Sequence, residues 1–158
     1  RDPEMSRGLG DVYKRQVIGR DGPLHVTRFH NYVNGEFLNS YTADGIIIAT
    51  ATGSTGYSLS AGGPIVSPET NILIMTPVAP HTLNTRSVIF PAEDEITVEI
   101  GEGSQGCEAK AVVSFDGDTN VPMRTADRVA IRRSVKDTQI IKISNISFLE
   151  VLRRKMKN

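Results

Sequence analysis

Thr50, Thr52, Ser54, Thr55, Ser58 and Ser60 place six side-chain hydroxyls within eleven residues, interleaved with Gly53, Gly56 and Tyr57 and followed by Gly62-Gly63-Pro64. Hydroxyls donate and accept hydrogen bonds, and glycines leave backbone N–H groups accessible, so this run can hold a polar ligand, phosphate or ribose with neutral donors. A helix starting near Tyr57 adds partial positive charge at the same place. The same residue types also make ordinary turns and N-caps, and composition alone leaves both readings open. No Lys follows the last glycine, so the loop is not a Walker A motif, and G-x-G-x-x-G is absent. Upstream, Asp44-Gly45 opens the segment with a carboxylate at a turn.

The elements that must position these groups read mostly as strands. Ile46 to Ile48 is an unbroken β-branched run and predicts a buried strand between the acidic turn and the hydroxyl loop. Leu24 to Val33 and Glu36 to Tyr41 flank Asn34-Gly35, a strong two-residue hairpin signal. Further strands are expected over Ile72 to Met75, Ser87 to Phe90, Ile96 to Ile100, Lys110 to Phe115, Arg128 to Arg133 and Gln139 to Ser144, with a turn at Asp116-Gly117. So many short strands imply a mainly β fold with sheets packed face to face, like a β-sandwich. Two helices interrupt it. One is short, from Tyr57 to Ala61. The other closes the chain, capped by Asn145, with Ile146, Leu149, Leu152 and Met156 near one face and Arg153, Arg154, Lys155 and Lys157 at its negative end.

Composition narrows the class of protein. A chain of 158 residues suffices for one core. Eighteen basic residues balance eighteen acidic ones, so no net field favours nucleic acid or an anionic membrane. The single cysteine, Cys107, cannot form an internal disulfide, has no basic neighbours to activate it, and reads as an inert loop residue. No apolar run reaches the ~18 residues of a membrane span, and cytoplasm is the expected compartment. None of the three histidines is spaced for a metal with another His or Cys, so no metal is assigned to this chain. Residues 1–16, RDPEMSRGLGDVYKRQ, show neither helical nor strand periodicity and read as foreign to the fold, a wrongly translated end or a natural tail.

The segment Asp44-Gly45, strand, Thr52-Gly53-Ser54-Thr55-Gly56-Tyr57-Ser58-Leu59-Ser60-Ala61-Gly62-Gly63-Pro64, followed by Thr76-Pro77-Val78-Ala79-Pro80-His81-Thr82-Leu83, closely resembles the signature of the NAD kinases. The resemblance runs from about Val17 to the C-terminus. It implies that residues 17–158 are the β-rich C-terminal domain of a two-part enzyme that phosphorylates the 2′-hydroxyl of the adenosine ribose of NAD with ATP, giving NADP. The family's Gly-Gly-Asp-Gly-Thr motif, which carries the general base, belongs upstream and does not occur here, so the resemblance assigns no catalytic residue and predicts no activity for this chain alone. A divalent metal, Mg, would accompany ATP in the full enzyme, with none held by this chain. Association through the β-rich domain implies a homo-oligomer, dimer or tetramer.

The same resemblance implies which residues contact NAD: Asp44, Thr52, Thr55, Gly56, Tyr57, Ser58, Leu59 and Ser60, with His25, Thr42 and Asp118 at positions that touch the dinucleotide in relatives. Leu59 is expected to pack, and His81 to anchor its loop. Thr42 stands where some relatives carry a longer side chain, and Asp118 where Gln can occur. Other departures are Ala51 and Ser87 at positions where Pro is common, and Gly56 where Ala is common. Two other classes remain open: the substrate domain of a lipid or sphingoid kinase, which requires an apolar cleft, and a non-catalytic dinucleotide-binding module.

Overall fold

The computed structural model describes residues 15–21, 27–82, 85–103, 106–117, 119–135 and 146–155. Among them are ten strands: β1 Arg15–Arg20, β2 Thr27–Val33, β3 Glu36–Ala43, β4 Gly45–Thr50, β5 Ile72–Val78, β6 Val88–Pro91, β7 Ile96–Ile100, β8 Lys110–Phe115, β9 Thr119–Arg124 and β10 Arg128–Ile131. A 3₁₀ turn, Thr52–Thr55, leads into the one-turn helix α1, Tyr57–Ser60, and a second helix, α2, spans Phe148–Lys155. The strands form a six-stranded sheet in the order β6-β5-β4-β1-β8-β9 and a four-stranded sheet in the order β10-β7-β2-β3.

The two sheets bury one core between them. Ile18, Ile46, Ile48, Met75, Val113 and Phe115 from the larger sheet meet Phe29, Tyr41, Ile96, Val98, Ile100 and Val129 from the smaller, which is the sandwich expected from the strand pattern. Alternation explains the partition: β7 and β8 bury every second residue, as a strand with one covered face must. β4 differs, since Gly45 through Ala49 are all buried. Ile46 and Ile48 face the core, while Ile47 and Ala49 lie on the outer face, against which the 3₁₀ turn and α1 pack.

Most strand boundaries follow the sequence reading, with informative differences. β2 and β3 are joined by Asn34-Gly35 with φ of 51° and 82°, the positive values that a tight hairpin turn needs. β1 begins at Arg15, so Arg15 and Gln16, placed above in the foreign segment, pair with Ala49 and Ile48. β9 was not anticipated: its polar start and Pro122 hide it, and it is tolerated because β9 is a sheet edge. β10 stops at Ile131, two residues short of Arg133. The strand expected over 139–144 and the cap expected at Asn145 lie outside the described residues.

Helix α2 starts at Phe148, with Ser147 Oγ accepting the Glu150 N–H at 3.2 Å, so Ser147 supplies a cap. Leu149, expected on a covered face, is 66% exposed. Phe148 and Leu152 are half-buried instead, four residues apart on one side.

Candidate functional site

Asp44 is the only residue between β3 and β4, so the chain changes sheets there. Its backbone is tied on both sides: the Asp44 N–H donates to the Val78 carbonyl at 3.0 Å, and the Arg20 N–H donates to the Asp44 carbonyl at 3.1 Å. Arg20 Nε also stands 3.3 Å from Asp44 Oδ1. The Asp44 side chain nevertheless stays 38% exposed, leaving carboxylate lone pairs open to a donor from outside.

The Thr76-Pro77-Val78-Ala79-Pro80-His81 segment holds this corner through its backbone. Because the Val78 carbonyl faces Asp44 on β4, the N and carbonyl of the preceding Pro77 face the other edge, where β6 has already ended opposite Met75. The missing proline N–H therefore costs no ladder bond. Ala79 then takes a left-handed φ of 44°, and the turn brings the His81 N–H onto the Thr42 carbonyl at 2.9 Å. His81 does anchor the loop, but with its main chain, while its side chain is exposed.

At the other end of β4 the hydroxyl loop folds back over the outer face of β4 and β5. Ser54, fully buried, staples the loop: its Oγ donates to the Ala51 carbonyl at 2.6 Å and accepts the Val66 N–H at 3.3 Å. Helix α1 closes with the Gly62 N–H on the Leu59 carbonyl and the Gly63 N–H on the Ser58 carbonyl, the paired bonds of a Schellman ending, with Gly62 at φ 85°. Gly63 is required for a different reason, since a Cβ there would lie 2.4 Å from Ser58 Oγ, 2.7 Å from the Ser58 carbonyl oxygen and 2.9 Å from Thr76 Oγ1. Thr76 sits on the rung opposite Ile47, two residues from Val78, so α1 is carried to within ~7 Å along β5 of the rung that holds Asp44.

The residues singled out in the sequence fall into three groups. Thr52, Gly56, Tyr57 and Ser60 are exposed on the loop, with the Tyr57 ring 45% accessible. Thr42, Asp44, Thr55 and Leu59 are half-buried. Ser58 points inward, fully buried, with its Oγ 3.3 Å from Thr76 Oγ1. His25 and Asp118 lie outside the described residues. Sequence reasoning gave Arg20 no role, and named Ser54, Thr76 and Ser87 without placing them in the site; Ser87 Oγ lies 3.0 Å from Thr76 Oγ1. A signal existed for Thr76: it is the one hydroxyl in the apolar strand ILIMTPV. Arg15 was missed too, and its guanidinium stands 5.9 Å from the Tyr57 ring centroid.

The arrangement offers hydroxyls, an accessible aromatic ring and a carboxylate to a polar ligand. Among the described residues no group of three or more His, Cys, Asp and Glu could hold a metal ion, and no helix is long and apolar enough to cross a membrane.

Comparison with known proteins agrees with this geometry. The family model of the ATP-NAD kinase C-terminal domain matches residues 15–143. The chain is 47% identical to the NAD kinase of Agathobacter rectalis over 159 residues, covering 100% of this chain and 55% of that protein. It is likewise 47% identical to the NAD kinase of Lachnospira eligens, covering 94% of this chain and 52% of the relative. It thus spans about half the length of the curated relatives it matches. Among solved structures, it superposes on yeast NADH kinase complexed with NADH with a TM-score of 0.64 at 34% identity, covering 77% of this chain and 35% of that one. An NAD kinase from Archaeoglobus fulgidus in complex with ATP gives a TM-score of 0.69 at 28% identity, covering 78% of this chain and 45% of that one. With a family match across the whole described sandwich and NAD kinase relatives at this identity, the chain belongs to the ATP-NAD kinase C-terminal domain family.

Proposed function

We propose that this chain supplies the NAD-holding part of an NAD kinase, an enzyme that moves the γ-phosphoryl group of ATP to the 2′-hydroxyl of the adenosine ribose of NAD. The observation that carries the reading is the fold-back of the Thr52–Ser60 loop over β4 and β5, which presents Thr52, Tyr57 and Ser60 outward above the strand that follows Asp44. Phosphoryl transfer demands a positioned acceptor hydroxyl more than it demands covalent chemistry from the protein. Asp44 accepts from ribose or amide donors, and its Arg20 partner keeps it oriented. Thr52, Thr55 and Ser60 supply hydroxyls, Gly56 accessible backbone, and Tyr57 a ring on which a base can stack. Ser58 and Leu59 support the turn from beneath, and Thr42, His25 and Asp118 complete the contact set.

The loop lining is hydroxyl and glycine, which favours a dinucleotide over a lipid. The general base, ATP and its divalent metal belong to the upstream half, so the described residues bind and orient the acceptor, and this chain alone forms no NADP. The working protein is a cytoplasmic homo-oligomer.

Calorimetric titration of NAD into the folded chain, with Asp44→Ala alongside, tests the reading. Saturable binding that weakens at least tenfold in the variant, ~1.4 kcal/mol or more, supports it. Equal affinity in both proteins would remove Asp44 from the site and the reading with it.

A further inference from the structure

We propose that Thr76 and Ser87 are positioning residues for the dinucleotide-facing turn, acting through a chain of three hydroxyls, Ser58–Thr76–Ser87, that locks α1 onto the sheet. The inference rests on the NAD reading above. Ser58 Oγ lies 3.3 Å from Thr76 Oγ1, which lies 3.0 Å from Ser87 Oγ. Ser58 is 0% and Thr76 1% exposed, so water does not satisfy either hydroxyl, whereas Ser87 is half-buried. Each hydroxyl has one hydrogen to donate. Run from Ser58 to Thr76 to Ser87, every hydrogen in the chain finds an acceptor and the last is passed toward solvent. Such a chain is cooperative, because each donated bond polarises the next hydroxyl.

The geometry makes the chain specific to the turn rather than to the sandwich core. Ser58 is the one buried residue of α1, between Tyr57 and Leu59, and its carbonyl also receives the Gly63 N–H at 2.8 Å. Holding Ser58 from below therefore sets the rotation of the single helical turn, and with it the outward direction of Tyr57 and Ser60. Thr76 stands on the outer face of the six-stranded sheet, away from the core cluster. Ser87 adds the terminal hydroxyl from the residue just ahead of β6, so the turn is braced from a part of the chain outside its own loop.

The test titrates NAD calorimetrically into the full 158-residue chain and follows amide hydrogen exchange across Tyr57–Gly63. Thr76→Val and Ser87→Ala should each weaken NAD roughly five- to tenfold and speed exchange at Gly62 and Gly63, leaving the Ile74 and Met75 amides unchanged. Thr76→Ser, which keeps the hydroxyl, should restore both readouts, and Thr76→Val combined with Ser87→Ala should bind no worse than Thr76→Val alone. Parental affinity in both Thr76→Val and Ser87→Ala would overturn the inference, as would a loss that Thr76→Ser does not rescue. If the parent chain binds no NAD although exchange responds to the hydroxyls, the dinucleotide reading has failed and takes the assignment with it. If the parent binds NAD and neither variant responds, only the inference falls.

Discussion

Arg20 holds Asp44 twice, through its own backbone N–H on the Asp44 carbonyl at 3.1 Å and through Nε at 3.3 Å from Asp44 Oδ1. The backbone bond belongs to the fold and survives substitution, whereas the side-chain pair only aims the carboxylate. Both side chains are about a third exposed, so the pair contributes at most ~1 kcal/mol to stability. Asp44→Ala and Arg20→Ala should therefore keep their urea midpoints near the parental value. NAD affinity should drop tenfold or more in the first and severalfold in the second, and the Arg20→Ala deficit should shrink at high salt as the pair is screened. A large midpoint shift in Asp44→Ala would show a structural rather than a binding carboxylate.

Tyr57 separates ring from hydroxyl. Its ring is 45% exposed on a helix whose inner face is taken by Ser58, so it is available for stacking, which is worth ~1–3 kcal/mol per base. Tyr57→Phe should bind NAD within about twofold of the parent, and Tyr57→Ala should lose at least about fivefold. Equal losses in calorimetry would instead assign the contact to the phenolic oxygen.

Two glycines answer to different parts of the molecule. A Cβ at Gly45 would meet the Ile18 carbonyl oxygen at 2.6 Å, forcing β1 and β4 apart in the sheet centre. Gly45→Ala should cost ~1–3 kcal/mol of unfolding free energy in urea titration. At Gly63 the clash falls on Ser58 and Thr76, outside the core. Gly63→Ala should unfold closer to the parent but bind NAD more weakly, and the opposite ranking would contradict this division.

Aromatic residues on the smaller sheet give a stability contrast. Phe29 is fully buried in the core, and Phe37, on the edge strand β3, is 56% exposed against the ring of Tyr32. Phe29→Ala should destabilise by ~3–5 kcal/mol, and Phe37→Ala by about 1 kcal/mol or less, as measured by thermal or chemical unfolding.

The elements legible in the sequence are those whose local chemistry and tertiary role agree. Ile96–Ile100 and Lys110–Phe115 alternate because one face is core, and Asn34-Gly35 marks its hairpin because only certain residues accept those angles. β9 was illegible because Pro122 and the polar Thr119-Asn120 are permitted by its edge position, which is set only once β8 has a free side. The loop was legible as a hydroxyl- and glycine-rich turn ahead of a short helix, yet Ser58 could not be told from Ser60 in its direction. One turn of helix has no periodicity to read, and the inward residue is decided by Thr76, eighteen positions away. Asp44-Gly45 reads as a turn, but nothing nearby states that the turn carries the chain from one sheet to the other.

That crossing has a mechanical consequence. With a single residue spanning two plates, Asp44 works as a pin joint with no slack, and its torsion angles register any sliding of one sheet over the other. A ligand that clamped the carboxylate would thereby brake the sliding, and on the proposed reading a dinucleotide held at this corner would stiffen the sandwich well beyond the atoms it touches.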